Sequence, residues 1–212
     1  MKKLSFVFLA FLLPSVVFSQ STNSDLRKDL KDRAIREARK EAKKMAKEGW
    51  EVAPGSIPLA KTLENTWVKQ VTQDEDGSVR YISADGNAVA ESKSAAEMQA
   101  IELGKLQLAG LIQTNISSLI SANIGNAQLS TEDAASVTEV VQSAKNIIAT
   151  ELGYVDPSFK LFRKIGKDKV EVQVRLFYDT KQSLVIAKKV VREELKNKLQ
   201  LNEEKLEKLM GM

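Results

Sequence analysis

Two stretches near the start of the chain have the hydrophobic spacing of amphipathic helices. Residues 25–48 hold sixteen charged residues without glycine or proline, and apolar side chains recur between them every three or four positions. On a helical wheel these apolar positions share one arc: Ala34, Ile35, Ala38, Ala42, Met45 and Ala46. Gly49 suits the end of this helix. A connector with two prolines follows, and an apolar residue at every fourth position from Leu59 to Val71 predicts a second helix with Pro58 in its first turn.

The middle of the chain alternates between turn signals and apolar runs. The acidic turn 74–77 opens a predicted strand near Val79, which the sequence Asp85-Gly86-Asn87 should interrupt with a bulge or turn. The most apolar helix is predicted from about residue 92 to 112. Three small residues four positions apart would let its backbone lie close to a sheet: Ala96, Ala100 and Gly104. Residues 113–124 lack charge and are rich in Ser and Ile, which favours a strand, with an extension of the helix as the alternative.

The last third of the chain has the clearest periodicities. Ser130 and Asp133 have the spacing of a capping box, and aliphatic residues at helical spacing follow them as far as Gly153. Alternating apolar residues between Phe159 and Tyr178, with a Gly-Lys-Asp turn between the two runs, predict a β-hairpin.

A final helix and a charged tail complete the predicted chain. The helix should begin at Asp179, and residues 200–212 are expected to fray or project because most of them are polar or charged. The order helix, connector, helix and then β-α-(β)-α-β-β-α predicts an α+β fold, with a small antiparallel-rich sheet packed by helices. The predicted division is a signal segment over 1–19, the two helices over 20–73, the α+β domain over 74–200 and a charged tail over 201–212.

The first residues predict an export signal. Lys2 and Lys3 precede an apolar run from Leu4 to Phe18, which matches the core of a signal peptide and is shorter than the roughly 20 residues of a membrane span. We expect cleavage after Ser19, with Gln20 as the mature N-terminus; an uncleaved anchor is the alternative. Processing would leave 193 of the 212 residues and lower the formal net charge from +4 to about +2, because two lysines leave with the signal.

Composition narrows the chemistry that is possible. The chain has no Cys and no His, which excludes thiol nucleophiles, disulfides, zinc fingers, iron–sulfur clusters and imidazole-based catalysis. No nucleophile elbow or phosphate loop is present. The D-x-D-G pattern of residues 74–77 is similar to part of a calcium-binding loop, but the remaining ligands, including the closing Glu, are missing. We therefore predict no catalytic residue, no cofactor and no metal.

The basic side chains of the first helix form the candidate binding site. Six of them lie opposite the apolar arc of the helical wheel: Arg33, Arg36, Lys40, Lys43, Lys44 and Lys47. Such a face can bind an anionic membrane surface or an acidic envelope protein, or it can simply be solvated. Because the processed chain would carry a net charge of only about +2, nucleic acid is not an expected partner. The oligomeric state is left open.

The order of elements after residue 80 resembles a known family. A strand over 81–90 runs into the alanine-rich helix 95–109, and a second helix, a hairpin ending near Tyr178 and a C-terminal helix follow. This order resembles the twenty-kilodalton outer-membrane lipoprotein family of Gram-negative bacteria. It is closer still to exported proteins with the same ending, an added basic helix and a Gly-Trp…Pro-Gly…Pro-Leu segment. The chain lacks the lipidated Cys of the family, and the resemblance implies an envelope location without catalytic residues.

These observations predict an exported, non-enzymatic envelope protein, periplasmic or outer-membrane-associated, with a binding or structural role. One alternative is a secreted protein that binds a small ligand, although an aromatic content of 6% leaves little for a stacking pocket. Another is a carboxylate-dependent hydrolase of envelope glycans, which needs only two suitably separated Asp or Glu residues. We expect Trp50, Trp67 and Tyr81 to anchor the N-terminal helices on the domain.

Overall fold

The computed structural model describes residues 23–211, which form helices around a three-stranded sheet. In chain order the elements are α1 (Asn23–Lys47), α2 (Leu59–Gln70), β1 (Tyr81–Ala90), α3 (Lys93–Asn123), a 3-10 turn (Ile124–Ala127), α4 (Thr131–Ser143), α5 (Lys145–Glu151), β2 (Pro157–Ile165), β3 (Lys169–Asp179), α6 (Thr180–Leu199) and α7 (Glu203–Met210). This architecture is the predicted α+β fold. The predicted signal segment and its cleavage site lie outside the described residues.

The sheet is antiparallel throughout, in the order β1-β3-β2. Its β2–β3 hairpin is the predicted one, and Gly166 at the turn has the left-handed φ of +63° that favours glycine. Successive side chains of a strand point to opposite faces, and one face of β1 and β3 is buried under α3: Ala84, Ala88, Val172, Val174 and Leu176. Helices α4 to α7 pack around α3 and complete the main core.

Strand β1 runs without interruption through Asp85-Gly86-Asn87, so the predicted break is wrong. Gly86 is there for a different reason, which is the close approach of α3. A Cβ atom at this position would lie 1.8 Å from the carbonyl oxygen of Ala100. A Cβ atom at Gly104 would lie 3.1 Å from Leu176 Cδ1. The two glycines therefore let the helix backbone lie directly on the sheet, as the small-residue spacing predicts.

Helix α3 continues to Asn123, so the strand predicted over 113–124 is wrong and the sheet has three strands. The reason is a buried stripe at four-residue spacing: Ile112, Ile116 and Ile120. Burial of this stripe outweighs the β propensity of the segment, because that propensity depends on context. The Thr114 hydroxyl also donates to the carbonyl of Gly110 at 2.9 Å, which satisfies it within the helix.

The region from Ser130 to Gly153 holds two helices rather than one. The Ser130 hydroxyl accepts a hydrogen bond from the Asp133 N–H at 3.0 Å, which is the predicted start. Helix α4 ends at Ser143, and α5 begins after the buried Ala144.

The C-terminal residues do not fray as predicted, because residues 203–210 form α7 and pack on the core. Asn202 caps this helix by accepting from the Lys205 N–H at 3.0 Å. Three apolar side chains are fully buried: Leu206, Leu209 and Met210. The few apolar residues of this charged segment are therefore enough to dock it, since they share one face of the short helix.

Candidate functional site

Helix α1 lies on the face of the sheet opposite α3, where a second, smaller core holds it. Its inward side chains are buried: Ala38, Ala42 and Met45. They pack with Leu63 of α2 and with Phe159 and Leu161 of β2. At the margin of the predicted apolar arc, Ile35 is half-buried and Ala46 is exposed. The arc therefore faces the protein itself and leaves the opposite side of α1 in solvent.

Trp50 anchors the C-terminal end of α1, as predicted. The backbone N–H of Trp50 donates to the Met45 carbonyl at 3.0 Å. The Trp50 side chain is buried, and the Arg163 guanidinium lies 4.6 Å from its ring centroid. The next residue, Glu51, exchanges two backbone hydrogen bonds with Phe162 of β2, at 2.9 and 3.0 Å. Helix α1 is thus attached to the outer edge of β2.

Polar contacts hold the rest of α1 in place. Arg39 Nε donates to Glu64 Oε1 at 2.6 Å, and this hydrogen bond lowers the pKa of the buried Glu64 carboxyl below its ordinary value. Lys61 Nζ lies 3.3 Å from the other carboxylate oxygen of Glu64. Nearer the start of the helix, Arg27 donates to the backbone carbonyls of Asp74 and Glu75 in the acidic turn.

The acidic turn itself is a tight turn. Asp76 Oδ1 accepts from the backbone N–H and the hydroxyl of Ser78, at 2.9 and 2.6 Å. Lys181 forms ion pairs with both aspartates of the turn, at 2.8 Å from Asp74 and 3.7 Å from Asp76. Within residues 23–211, no group of three or more Asp and Glu residues is arranged to hold a metal ion.

The six basic residues that the sequence predicts as a site lie together on the exposed face of α1. We call this set the basic ridge: Arg33, Arg36, Lys40, Lys43, Lys44 and Lys47. They span fourteen helical steps, which at 1.5 Å per residue is about 21 Å. The ridge presents its charge along an extended surface, and Lys43 also lines the groove between α1 and α2.

Half of the basic ridge is paired with acids on the same helix. The pairs are Arg33–Asp29 at 2.9 Å, Lys40–Glu37 at 2.7 Å and Lys44–Glu41 at 3.8 Å. Across the part of the chain that the structure describes, Arg36, Lys43 and Lys47 form no ion pair. These three cations are therefore available to an external anion.

Positive charge is concentrated in α1 rather than spread over the protein. The helix holds ten Lys and Arg residues against five Asp and Glu, a net charge of +5. The whole chain carries +4, so the remaining residues together have a net charge of −1. The electrostatic field of the protein is thus strongest at one surface element.

Two further surface features could not be read from the sequence, because each joins distant segments. One is an apolar groove of about 430 Å³ between α1 and α2, where Ala42, Ala46 and Leu59 lie between charged rims. The other is a polar cleft of about 500 Å³ at β1, where Arg175 donates to both oxygens of Asp85 at 2.6 and 2.7 Å.

No helix among residues 23–211 has the length and hydrophobicity needed to cross a membrane. Comparison of the chain with protein-family models, with curated proteins and with solved structures finds no match. The resemblance to the outer-membrane lipoprotein family therefore stays a prediction.

Proposed function

We propose that this protein is an exported, non-catalytic protein of the cell envelope whose basic ridge binds the anionic headgroup surface of a membrane. The observation that carries the proposal is the exposure of six cations along one helix, three of them without an acidic partner among the described residues. The location rests on the apolar segment Leu4 to Phe18 and its two preceding lysines.

The shape of the basic ridge favours a flat polyanionic surface. Its side chains extend over about 21 Å of one helix face, which suits an array of headgroups better than one small anion. Its chemistry favours surface contact rather than insertion. The apolar side chains beside the basic ridge, Ala38, Ala42 and Met45, are buried against α2 and β2, so they cannot enter the acyl region. Only Leu26 and Leu30, nearer the start of α1, are large apolar side chains of this helix that are exposed.

The unpaired cations should dominate the binding energy. A Lys or Arg near an anionic membrane contributes about 1 kcal/mol. Loss of three such charges should therefore weaken binding by roughly 100-fold, since 1.4 kcal/mol is a factor of ten. The interaction should also weaken at high salt, because exposed charges are screened.

Vesicle flotation tests the proposal. The purified protein should float with vesicles of phosphatidylcholine and phosphatidylglycerol in equal parts, and should stay unbound with phosphatidylcholine alone. The variant Arg36→Gln/Lys43→Gln/Lys47→Gln should lose most of the binding.

The matched control is Lys145→Gln/Lys188→Gln/Lys205→Gln. It removes the same charge from helices α5, α6 and α7, where these lysines form no ion pair within residues 23–211. Equal losses in the two triple variants would show that net charge, and not the basic ridge, governs binding. Absence of binding to the anionic vesicles at low salt would overturn the membrane proposal.

The export part of the proposal has its own test. The protein recovered from cell envelopes should begin at Gln20, as read by N-terminal sequencing. Recovery of an unprocessed chain from the cytoplasm alone would contradict export.

A further inference from the structure

The two outer edges of the sheet differ in what covers them. The outer edge of β2 is bonded to the connector, because Glu51 exchanges two backbone hydrogen bonds with Phe162. Within residues 23–211, no strand or bridge pairs with the outer edge of β1. The ten residues of this strand, Tyr81–Ala90, therefore have no strand partner on one side among the described residues.

The pairing with β3 shows which backbone groups of β1 face outward. The Thr180 N–H donates to the Arg80 carbonyl at 2.9 Å, so residue 80 is hydrogen-bonded toward the β3 side. Antiparallel pairing alternates along a strand, and the register of β1 with β3 is regular. The outward N–H and C=O groups are therefore those of the odd-numbered residues: Ser83, Asp85, Asn87 and Val89.

This edge carries none of the usual protection against pairing. Natural edge strands are blocked by lysines, prolines, bulges or inward charges. Residues 81–90 contain no Lys, Arg or Pro, and no bulge interrupts the strand. The single charged residue, Asp85, accepts two hydrogen bonds from Arg175 of its own chain.

Apolar side chains of α3 lie beside the same edge. Leu103 and Leu111 are each 46% exposed, with Gln107 one turn from both. Gln107 and Leu111 line the cleft at β1 together with Ser83 and Asp85. A strand that paired with β1 would thus also contact the partly apolar side of α3. Such contacts stabilise the pairing beyond its backbone hydrogen bonds.

We propose that the edge of β1 pairs with β1 of a second copy of this chain, antiparallel, with Gly86 opposite Gly86 at the twofold axis. This register places Asp85 opposite Asn87 and Ser83 opposite Val89 of the other copy. A carboxylate then meets an amide donor, whereas an axis at Asp85 would place two carboxylates opposite each other and would be unfavourable. The result is a continuous six-stranded sheet with an isologous interface.

Disulfide trapping tests the register directly, because the chain has no cysteine of its own. In the variant Ser83→Cys/Val89→Cys, each new thiol should face its counterpart in the other copy with Cα atoms about 5.5 Å apart, within disulfide range. Within one chain the same positions are about 20 Å apart along the strand. We expect a covalent dimer on non-reducing gels after mild oxidation.

The single variant Val89→Cys is the matched control. In the proposed register the two copies of residue 89 lie about 20 Å apart, so this variant should stay largely uncrosslinked. Light scattering on the unmodified protein should give twice the chain mass at micromolar concentration. A monomeric mass at every concentration, or crosslinking of the single variant as efficient as that of the double variant, would overturn the proposal.

Discussion

The two faces of the sheet are covered in different ways. On one face the backbone of α3 lies against β1, and aliphatic side chains from five helices fill a continuous core. On the other face, α1 and α2 share a small core with Trp50 and two residues of β2. The rest of that face holds a polar row, in which Asn87 and Arg163 both donate to Glu171 at 2.8 and 2.6 Å, and the buried Phe177, whose ring meets that of Tyr81 edge to face.

The two faces therefore depend on different kinds of packing. The α3 face depends on close backbone approach, which tolerates no added atom. The α1 face depends on a few side-chain anchors, which position one helix and leave its outer side in solvent. The basic ridge is therefore displayed by the less tightly held part of the protein, and changes to the two faces should have separable effects.

The largest expected effect is on the α3 face. The substitution Gly86→Ala places a Cβ atom 1.8 Å from the Ala100 carbonyl oxygen, so α3 must move away from β1. We expect the free energy of unfolding to fall by about 3 kcal/mol, measured by urea denaturation. Gly125→Ala is the control, since its Cβ would meet nothing within 4 Å and should change stability by less than about 0.5 kcal/mol. Equal stability of the two variants would contradict the close approach.

The next effect should be confined to the α1 face. The substitution Trp50→Ala removes the central anchor of the smaller core, at a cost of about 3 kcal/mol to the docking of α1 and α2. Hydrogen exchange should accelerate in α1 and α2 while the amides of α3 stay protected. Ile57→Ala, at a site that is 54% exposed, should change neither the docking of α1 and α2 nor their hydrogen exchange. Uniform acceleration across both faces would show that they unfold together.

The smallest expected effect depends on pH. The hydrogen bond from Arg39 holds the pKa of Glu64 below its ordinary value of 4.5. The stabilisation from this pair is therefore present above pH 4.5 and is lost as the pH falls through the lowered pKa. The variant Glu64→Gln should unfold at a lower temperature than the parent at neutral pH, and the two should converge only in acid.

The exposed Glu139 supplies the control for that pH series, since Glu139→Gln removes a carboxylate that has no ion pair within residues 23–211. Its melting temperature should follow that of the parent at every pH. A constant gap between Glu64→Gln and the parent down to strongly acidic pH would mean that ionisation of Glu64 does not matter for docking.

Local patterns were enough to predict most elements and the position of the candidate site. The caps at Ser130 and Asp179 and the alternation in β3 depend on neighbours in the chain. The basic ridge follows in the same way from the 3.6-residue period of one helix. Its pairs, such as Arg33 with Asp29, also join residues within one turn.

The errors of sequence reasoning share one cause, which is contact between distant segments. Gly86 has the local signature of a turn, yet its role is set by Ala100 of α3. Residues 113–124 have strand composition, yet the packing of Ile116 and Ile120 into the core keeps most of them helical. The charged tail docks because Met210 and its neighbours find a buried surface.

The sequence by itself determined the helix and strand periods, the missing chemistry of Cys and His, and the segregation of charge into α1, because these depend only on residue type and spacing along the chain. Only the tertiary structure decided that α1 buries its alanines against β2, that Glu51 forms a bridge at the outer edge of β2, and that no strand within residues 23–211 pairs with the outer edge of β1. Such features require residues far apart in the chain to meet, and burial and backbone pairing, rather than local propensity, decide which of them do.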